Sequence, residues 1–477
     1  VAALIDRQIV ASVGERIRQR RVELGLTQSQ LGDRRYSKGY VSLVECGKLP
    51  PSRDALLHFA AQLDRAPTWF LVDPAQCAEA ARSVLADARR YLRGGNIQRA
   101  HLLLGEAARM VLDIDDERLL AEVHEMAGHI HLVRGETAYA LQTYRQAVGL
   151  FRACGLVDDR VRCMCSLVNA LLAARSLETA RLELTAASEL FELHGSRSSA
   201  VSGRLKVAAG LVELASGRLA EATTAIQTAA DLLQLVDRDG HGAALVLLGL
   251  LELRQRNWLP GARHLETAIA ILGNSQERAL AAAAGHWLVE AWSRLRRWDD
   301  AMRAARWSIQ LFSSAGDRQQ VGCASVRLAE IALAAGDIDV AHQAAEGARL
   351  EIARASNTDD ETDPEAKEDQ EWRFRCAARL AYVSAVVTHR RGDPSLAEQQ
   401  LRVIIQQLRA WPDALLLRIR ALHERAICLA ALGREDQSRA CYAQALQDLE
   451  VGWPNHDLGL PSLGAVCCLP SPLWFRE

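Results

Sequence analysis

Residues 128–147 read Gly-His-Ile-His-Leu-Val-Arg-Gly-Glu-Thr-Ala-Tyr-Ala-Leu-Gln-Thr-Tyr-Arg-Gln-Ala. Gly128 and Ala140 are small residues at the two ends of the first segment, Gly135 stands between them, and Tyr144 and Ala147 follow Ala140 at +4 and +7. Positions +4 and +7 share one face of a helix. A glycine five residues before the alanine supplies a tight turn. The stretch therefore predicts a helix, a turn and a second helix, with small residues where the two axes approach.

Working outward, the triplet returns along the chain. It appears as Ala100/Leu104/Ala107, Ala140/Tyr144/Ala147, Ala180/Leu184/Ala187 and Ala222/Ile226/Ala229. Later copies are Ala301/Ala305/Ser308, Ala341/Ala345/Ala348 and Ala397/Leu401/Ile404. Weaker ones start at Ala262, where Glu266 spoils the +4 place, and near Ala440. Glycine recurs five residues ahead, at Gly95, Gly135, Gly217, Gly336 and Gly392. Twelve residues ahead lies a small or apolar residue, from Ala88 and Gly128 to Ala385 and Cys428. A period of about forty residues is the signature of a repeat array, in which each unit buries its apolar face on its neighbours. A generic bundle keeps no such period. The reading is an all-α array of about nine units over residues 76–450. One spacing is long, 56 between Ala341 and Ala397. It holds the acidic insertion 356–371, with eight acids and one lysine, read as a solvated loop or as a segment that repels DNA or restrains a basic domain. Residues 451–477, rich in proline, read as an irregular cap on the last unit.

Gly128, His131, Ala140, Tyr144 and Ala147 stand at the spacing of the tetratricopeptide repeat, and the array resembles the longer variant of that family. The resemblance implies a superhelix with a concave inner face. In peptide-sensing members an inner-face Asn clamps a bound peptide, which makes Asn169, beside Val168, the candidate ligand-binding residue.

The first seventy residues differ. Val13, Ile17 and Leu24 share a helix face that Gly25 ends. Thr27 is an N-cap candidate for a short helix through Gly32, and a turn through Ser37 leads to a second short helix, Lys38 to Glu45. Another helix runs from Asp54 to Leu63, and Pro67 and Pro74 bracket a short connection. Leu31, Val41 and Val44 are expected core. The string Leu26-Thr27-Gln28-x-x-Leu31, then Tyr40-Val41-Ser42-Leu43-Val44-Glu45-x-Gly47-Lys48, then Pro51-Ser52, resembles the helix-turn-helix domain of the phage-repressor (Cro/C1, XRE) family. Its turn is one residue shorter than the usual pattern, with Arg35-Tyr36-Ser37 in place of the familiar sequence. The domain is placed at residues 10–72. The resemblance implies double-stranded DNA as a partner, with Gln28 on a phosphate and Lys38, Gly39 and Leu43 on the face that meets base edges. Arg35, Ser37, Tyr40, Ser42 and Lys48 complete the expected DNA-binding set.

Charge agrees with that assignment. The whole chain of 477 residues carries 57 basic and 59 acidic residues, a net -2. Between Ser12 and Ala55, nine positive side chains face five negative ones. Locally positive charge is what phosphate contact requires.

No stretch is apolar enough to span a membrane, and no signal peptide is read at the start. Eleven scattered cysteines are not a disulfide framework; they read as reduced, packing thiols, and a cytoplasmic location is expected. There is no Gly-rich phosphate loop, no His-Glu-x-x-His and no nucleophile elbow. No metal or cofactor is expected, and the chain is read as not an enzyme. The tryptophans Trp258, Trp287, Trp292, Trp298 and Trp307 read as core or interface. The expectation is a homodimeric, sequence-specific transcription regulator whose array senses a peptide or small molecule, as quorum regulators of this build do. The alternative is a protein-interaction scaffold with a DNA-tethering domain.

Overall fold

Residues 2–71, 74–112, 114, 116–273, 275, 277–315, 318–355, 365–411 and 414–452 are described by a computed structural model. They are helical throughout, with no strand among the described residues. Of the expected insertion 356–371, residues 356–364 lie outside the described part, as does the tail beyond 452.

The N-terminal part is built from α1 (Ala2–Glu23), α2 (Gln28–Gly32), α3 (Lys38–Glu45), α4 (Arg53–Gln62) and α5 (Pro67–Leu71). Val13 and Ile17 of α1, Leu31 of α2, Val41 and Val44 of α3, and Leu56 and Phe59 of α4 form one core, as the periodicity requires. The stretch between Pro67 and Pro74 is more than a connection. Pro67 opens a helical turn, where its fixed φ and missing N–H cost nothing, and Trp69 and Phe70 enter the core.

Nine helix pairs follow among the described residues. They are α6 (Pro74–Arg93) with α7 (Ile97–Leu112), α8 (Glu117–Val133) with α9 (Thr137–Ala153), and α10 (Val157–Ala173) with α11 (Leu177–His194). Next come α12 (Ser199–Ala215) with α13 (Leu219–Leu233), α14 (Arg238–Arg254) with α15 (Trp258–Leu272), and α16 (Arg278–Arg294) with α17 (Trp298–Ala315). The last are α18 (Arg318–Ala335) with α19 (Ile338–Ala355), α20 (Glu365–Arg390) with α21 (Pro394–Leu408), and α22 (Leu415–Ala431) with α23 (Glu435–Gly452). Residues 365–371 of the acidic run are thus helical, since Glu, Ala, Lys and Gln are good helix formers. The chain divides into two compact units, one of Val1–Arg89, Gln98–Gly128 and Gln142–Leu156, the other of Arg90–Ile97, His129–Leu141 and Val157–Glu477.

The leading alanines Ala100, Ala140, Ala180, Ala222, Ala301, Ala341 and Ala397 are fully buried. Gly128 shows why its place is small: an added Cβ would sit 2.6 Å from the Tyr144 ring. The repeat frame needs two corrections. In the fifth pair the leading residue is Gly261, not Ala262, because Leu265 and Ala268 then take the buried +4 and +7 places and Glu266 turns to solvent. Its partner twelve residues ahead is Gly249, whose carbonyl would lie 3.1 Å from a Cβ on Gly261. In the ninth pair the place belongs to buried Ser438, whose hydroxyl donates to the Ala426 carbonyl at 2.8 Å, while Ala440 is exposed.

With that frame, the residue five before each leading position has a left-handed backbone in every pair. It is Gly95, Gly135, Gly217, Gly336, Gly392 and Gly433, but Arg175, Arg256 and Arg296 in the other three. The turn geometry is therefore constant while the residue type is not.

Candidate functional site

The short helices α2 and α3 are fixed by local chemistry first. Thr27 caps α2 reciprocally: its hydroxyl accepts from the Gln30 N–H at 3.2 Å, and the side-chain Oε1 of Gln30 accepts from the Thr27 N–H at 2.8 Å. This satisfies two N–H groups that a helix start leaves without partners. Asp33 and Arg34, both left-handed, turn the chain. Ser37 caps α3 by accepting from the Tyr40 N–H at 3.2 Å.

Glu45, at the end of α3, then joins the elements. Its side chain is 1% exposed. It accepts from Arg21 Nε at 2.6 Å and Arg21 Nη2 at 2.9 Å, and from Gln28 Nε2 at 2.9 Å. Arg21 also donates to the Leu26 carbonyl at 2.7 Å. One buried carboxylate thus holds α1, the following loop, α2 and α3. The bond to Glu45 pushes the Arg21 guanidinium above its ordinary range. On the other side α1 crosses α3 closely enough that a Cβ on Gly14 would fall 2.0 Å from the Val44 carbonyl oxygen. Tyr36 and Tyr40 stack at 5.2 Å, and Tyr36 meets Phe59 edge-on at 5.4 Å.

This frame sorts the expected DNA-binding residues. Lys38, Gly39 and Leu43 are exposed on α3, Leu43 at 45%. Ser42 is half-buried on the same helix. Arg35 and Ser37 are exposed in the turn before α3, and Lys48 is exposed just after it. Tyr40 is half-buried in the ring cluster, and its hydroxyl accepts from the Ser52 N–H at 3.2 Å. Gln28 is half-buried with one amide N–H already spent on Glu45. Sequence reasoning missed Arg21, Glu45 and Gly14 as the parts that set this geometry. It also grouped Cys46 with packing thiols, and the residue is exposed at the end of α3.

The local positive charge is likewise sorted. Arg16 is buried with its guanidinium 3.9 Å over the Trp69 ring, Arg20 pairs with Glu23 at 2.9 Å, and Arg21 is spent on Glu45. Arg18, Arg34, Arg35, Lys38, Lys48 and Arg53 remain exposed.

The array offers a second set. First helices of successive pairs pack on one another, α10 on α12 and α18 on α20 among them. Asn169 lies in the middle of α10, 1% exposed, with its Oδ1 lacking a hydrogen-bond partner among the described residues. In the same unit Arg204 of α12 approaches Asp237 at 3.7 Å. Burial pushes the Cys165 thiol, one turn before Asn169, up to about 12. Further along, Arg327 of α18 pairs with Glu290 of α16, and Arg379 of α20 donates to Glu330 of α18 at 2.8 Å. Burial, with Arg327 and Arg379 nearby, depresses His286 to about 4. Trp287 and Trp292 are buried, and Trp258, Trp298 and Trp307 are half-buried, in accord with a packing role. No described helix is long and apolar enough to cross a membrane.

Compared with protein families and with curated proteins, the chain finds no match. Among solved structures it is similar to the apo form of RapI, with a TM-score of 0.51 at 9% identity, over 78% of this chain and 98% of that one. It is also similar to the apo form of the quorum sensor NprR from B. thuringiensis, at 0.46 and 10%, over 78% and 99%. A third is aspartyl phosphate phosphatase F from Bacillus subtilis, at 0.44 and 10%, over 82% and 98%. At such identities the likeness to RapI shows the fold, an all-α tetratricopeptide-like array. The expectation that the chain is not an enzyme is withdrawn: it rested on missing motifs, and the similar solved structures include one named a phosphatase. The physical reason that missing motifs do not decide the matter is that a single positioned side chain can act as a general acid or base. Such a group leaves no spacing signature.

Proposed function

We propose that this chain is a DNA-reading regulator whose repeat array binds a peptide, a small molecule or a partner protein. The observation that carries the DNA part is the face of α3 that exposes Lys38, Gly39 and Leu43, with half-buried Ser42 beside them, set by the Arg21–Glu45–Gln28 bonds. In helix-turn-helix docking the early residues of the second helix meet base edges. Lys38 donates to guanine O6 or N7, Gly39 permits close approach, and Leu43 covers a thymine methyl. Arg35, Ser37 and Lys48 meet phosphates, as do the remaining exposed guanidiniums. Tyr40 and Gln28 act chiefly by position, since each already spends a polar atom inside the domain. A homodimer would place two such heads about one helical turn of DNA, ~34 Å, apart.

On the array, Asn169 is the candidate for accepting from a ligand N–H, because its buried Oδ1 has no hydrogen-bond partner among the described residues. A buried carbonyl oxygen without a donor costs about 1–3 kcal/mol, which a bound amide would return. A scaffold role is the second reading. What favours it is that α3 presents a single long polar base-reader, Lys38, against an array of nine helix pairs.

The two readings separate on salt and sequence dependence. Full-length protein titrated into duplex DNA should bind more weakly as salt rises, and Lys48→Ala should lower the slope of log K against log salt by about one. Lys38→Ala should cost about 1–3 kcal/mol on the preferred site and flatten preference at one position. Binding that ignores both changes would favour the scaffold.

A further inference from the structure

None of the described cysteines is in a disulfide. Two of them meet. Cys323 Sγ on α18 and Cys376 Sγ on α20 lie 3.4 Å apart, in adjacent repeats and 53 residues apart in sequence. Each is held by a helix that packs on the other. Cys376 is buried, and Cys323 is half-buried. The Cys376 thiol is pushed up by its hydrogen bond to Cys323 and by burial, against the pull of the Arg379 guanidinium. Cys323, the less buried of the two, is the sulfur that meets a reagent from solvent.

We propose that Cys323 and Cys376 form a redox modification site, which an oxidised low-molecular-weight thiol converts to an intrachain disulfide. Cys323 loses its proton, and its thiolate attacks one sulfur of the small disulfide RSSR. A mixed disulfide forms, and one thiolate RS⁻ leaves and takes up a proton. Cys376, deprotonated in its turn, attacks Cys323 Sγ, forms the protein disulfide and expels the second RS⁻. The protein loses two electrons and two protons, and RSSR becomes two RSH. The two sulfurs, 3.4 Å apart, must close to about 2.05 Å to form the bond. The product ties α18 to α20 beside the Arg379–Glu330 pair. It fixes the spacing of two adjacent first helices of the array.

The test uses the full chain, folded and reduced, incubated with glutathione disulfide at pH 8. Free thiols are then alkylated and the digest is read by mass spectrometry. The expected result is a linked peptide pair joining Cys323 to Cys376, reversed by reductant, with two fewer alkylated thiols. Cys376→Ser should stop at a stable glutathione adduct on Cys323, and Cys323→Ser should give neither adduct nor link. Cys165→Ser should leave the link intact. The oxidised wild type should melt several degrees above the reduced form, a shift absent in Cys323→Ser. Full alkylation of both residues after oxidation, or a glutathione adduct that persists on Cys323 in the wild type, would overturn the proposal.

Discussion

Glu45 is a carboxylate almost wholly withdrawn from water, and it accepts from three N–H donors there. Removing its charge leaves Arg21 buried beside a neutral amide. Breaking a buried pair from one side costs about 3–5 kcal/mol. Glu45→Gln should therefore loosen the N-terminal helices by that order, read as faster hydrogen exchange across residues 13–70. Unchanged exchange there would show that the bonds do not hold the domain. His286 makes a prediction on pH. Its folded pKa lies near 4, below the ordinary 6.5, because burial and the guanidiniums of Arg327 and Arg379 disfavour its charged form, with Glu330 opposing them. The unfolded chain binds that proton first as pH falls. The contribution to stability is complete above pH 6.5 and is lost between 6.5 and 4, up to about 3 kcal/mol. In His286→Asn, the melting temperature of the array should fall less over that window than in the wild type; identical slopes would refute the assignment. At this scale much was legible. Leu31, Val41, Val44 and the Thr27 cap follow from spacing and side-chain type alone. The Arg21–Glu45–Gln28 bonds do not, because partners 24 and 17 residues apart share no helical period. An orphaned Oδ1 such as that of Asn169 is likewise a property of packing.

The helix pair was legible as an element because its small residues and its turn recur in phase. The frame failed only where chemistry disguised size. At Gly261-Ala262 two small neighbours compete, and the alanine is the wrong one. At Ser438 a hydroxyl reads as polar until it bonds the Ala426 carbonyl. The left-handed turn position was half-visible, as glycine, and hidden where arginine fills it at Arg175, Arg256 and Arg296. A residue with a Cβ pays about 1 kcal/mol or more in that conformation. Arg175→Gly and Arg256→Gly should each stabilise the array by about 0.5–1 kcal/mol, offset in part by the greater freedom of glycine in the unfolded chain. Denaturant midpoints would move upward; a fall would mean that the arginine side chains hold something of greater worth. Gly128→Ala should act oppositely. Its Cβ would overlap the Tyr144 ring, and overpacking of this kind costs about 1–3 kcal/mol. A melting temperature equal to the wild type's would show that the ring can move aside.

At the scale of the molecule, a small domain with exposed positive charge is joined to a long helical array on a nearly neutral chain. On the proposed reading, a ligand on the array would shift the spacing of two DNA-reading heads if it bound one geometry better than the other. A pair of helices as short as α2 and α3 could not hold its pose alone; α1, α4 and the buried Glu45 supply the rigidity. The central claim is that this pose reads sequence. The measurement that tests it most directly is selection of randomised duplex DNA by the purified full chain at ~0.15 M salt, near physiological ionic strength, followed by sequencing. The account predicts an enriched palindrome with fixed half-site spacing, whose preference at one position of each half-site is flattened in Lys38→Ala. Weak, unselective and steeply salt-dependent binding, the same in both proteins, would contradict it.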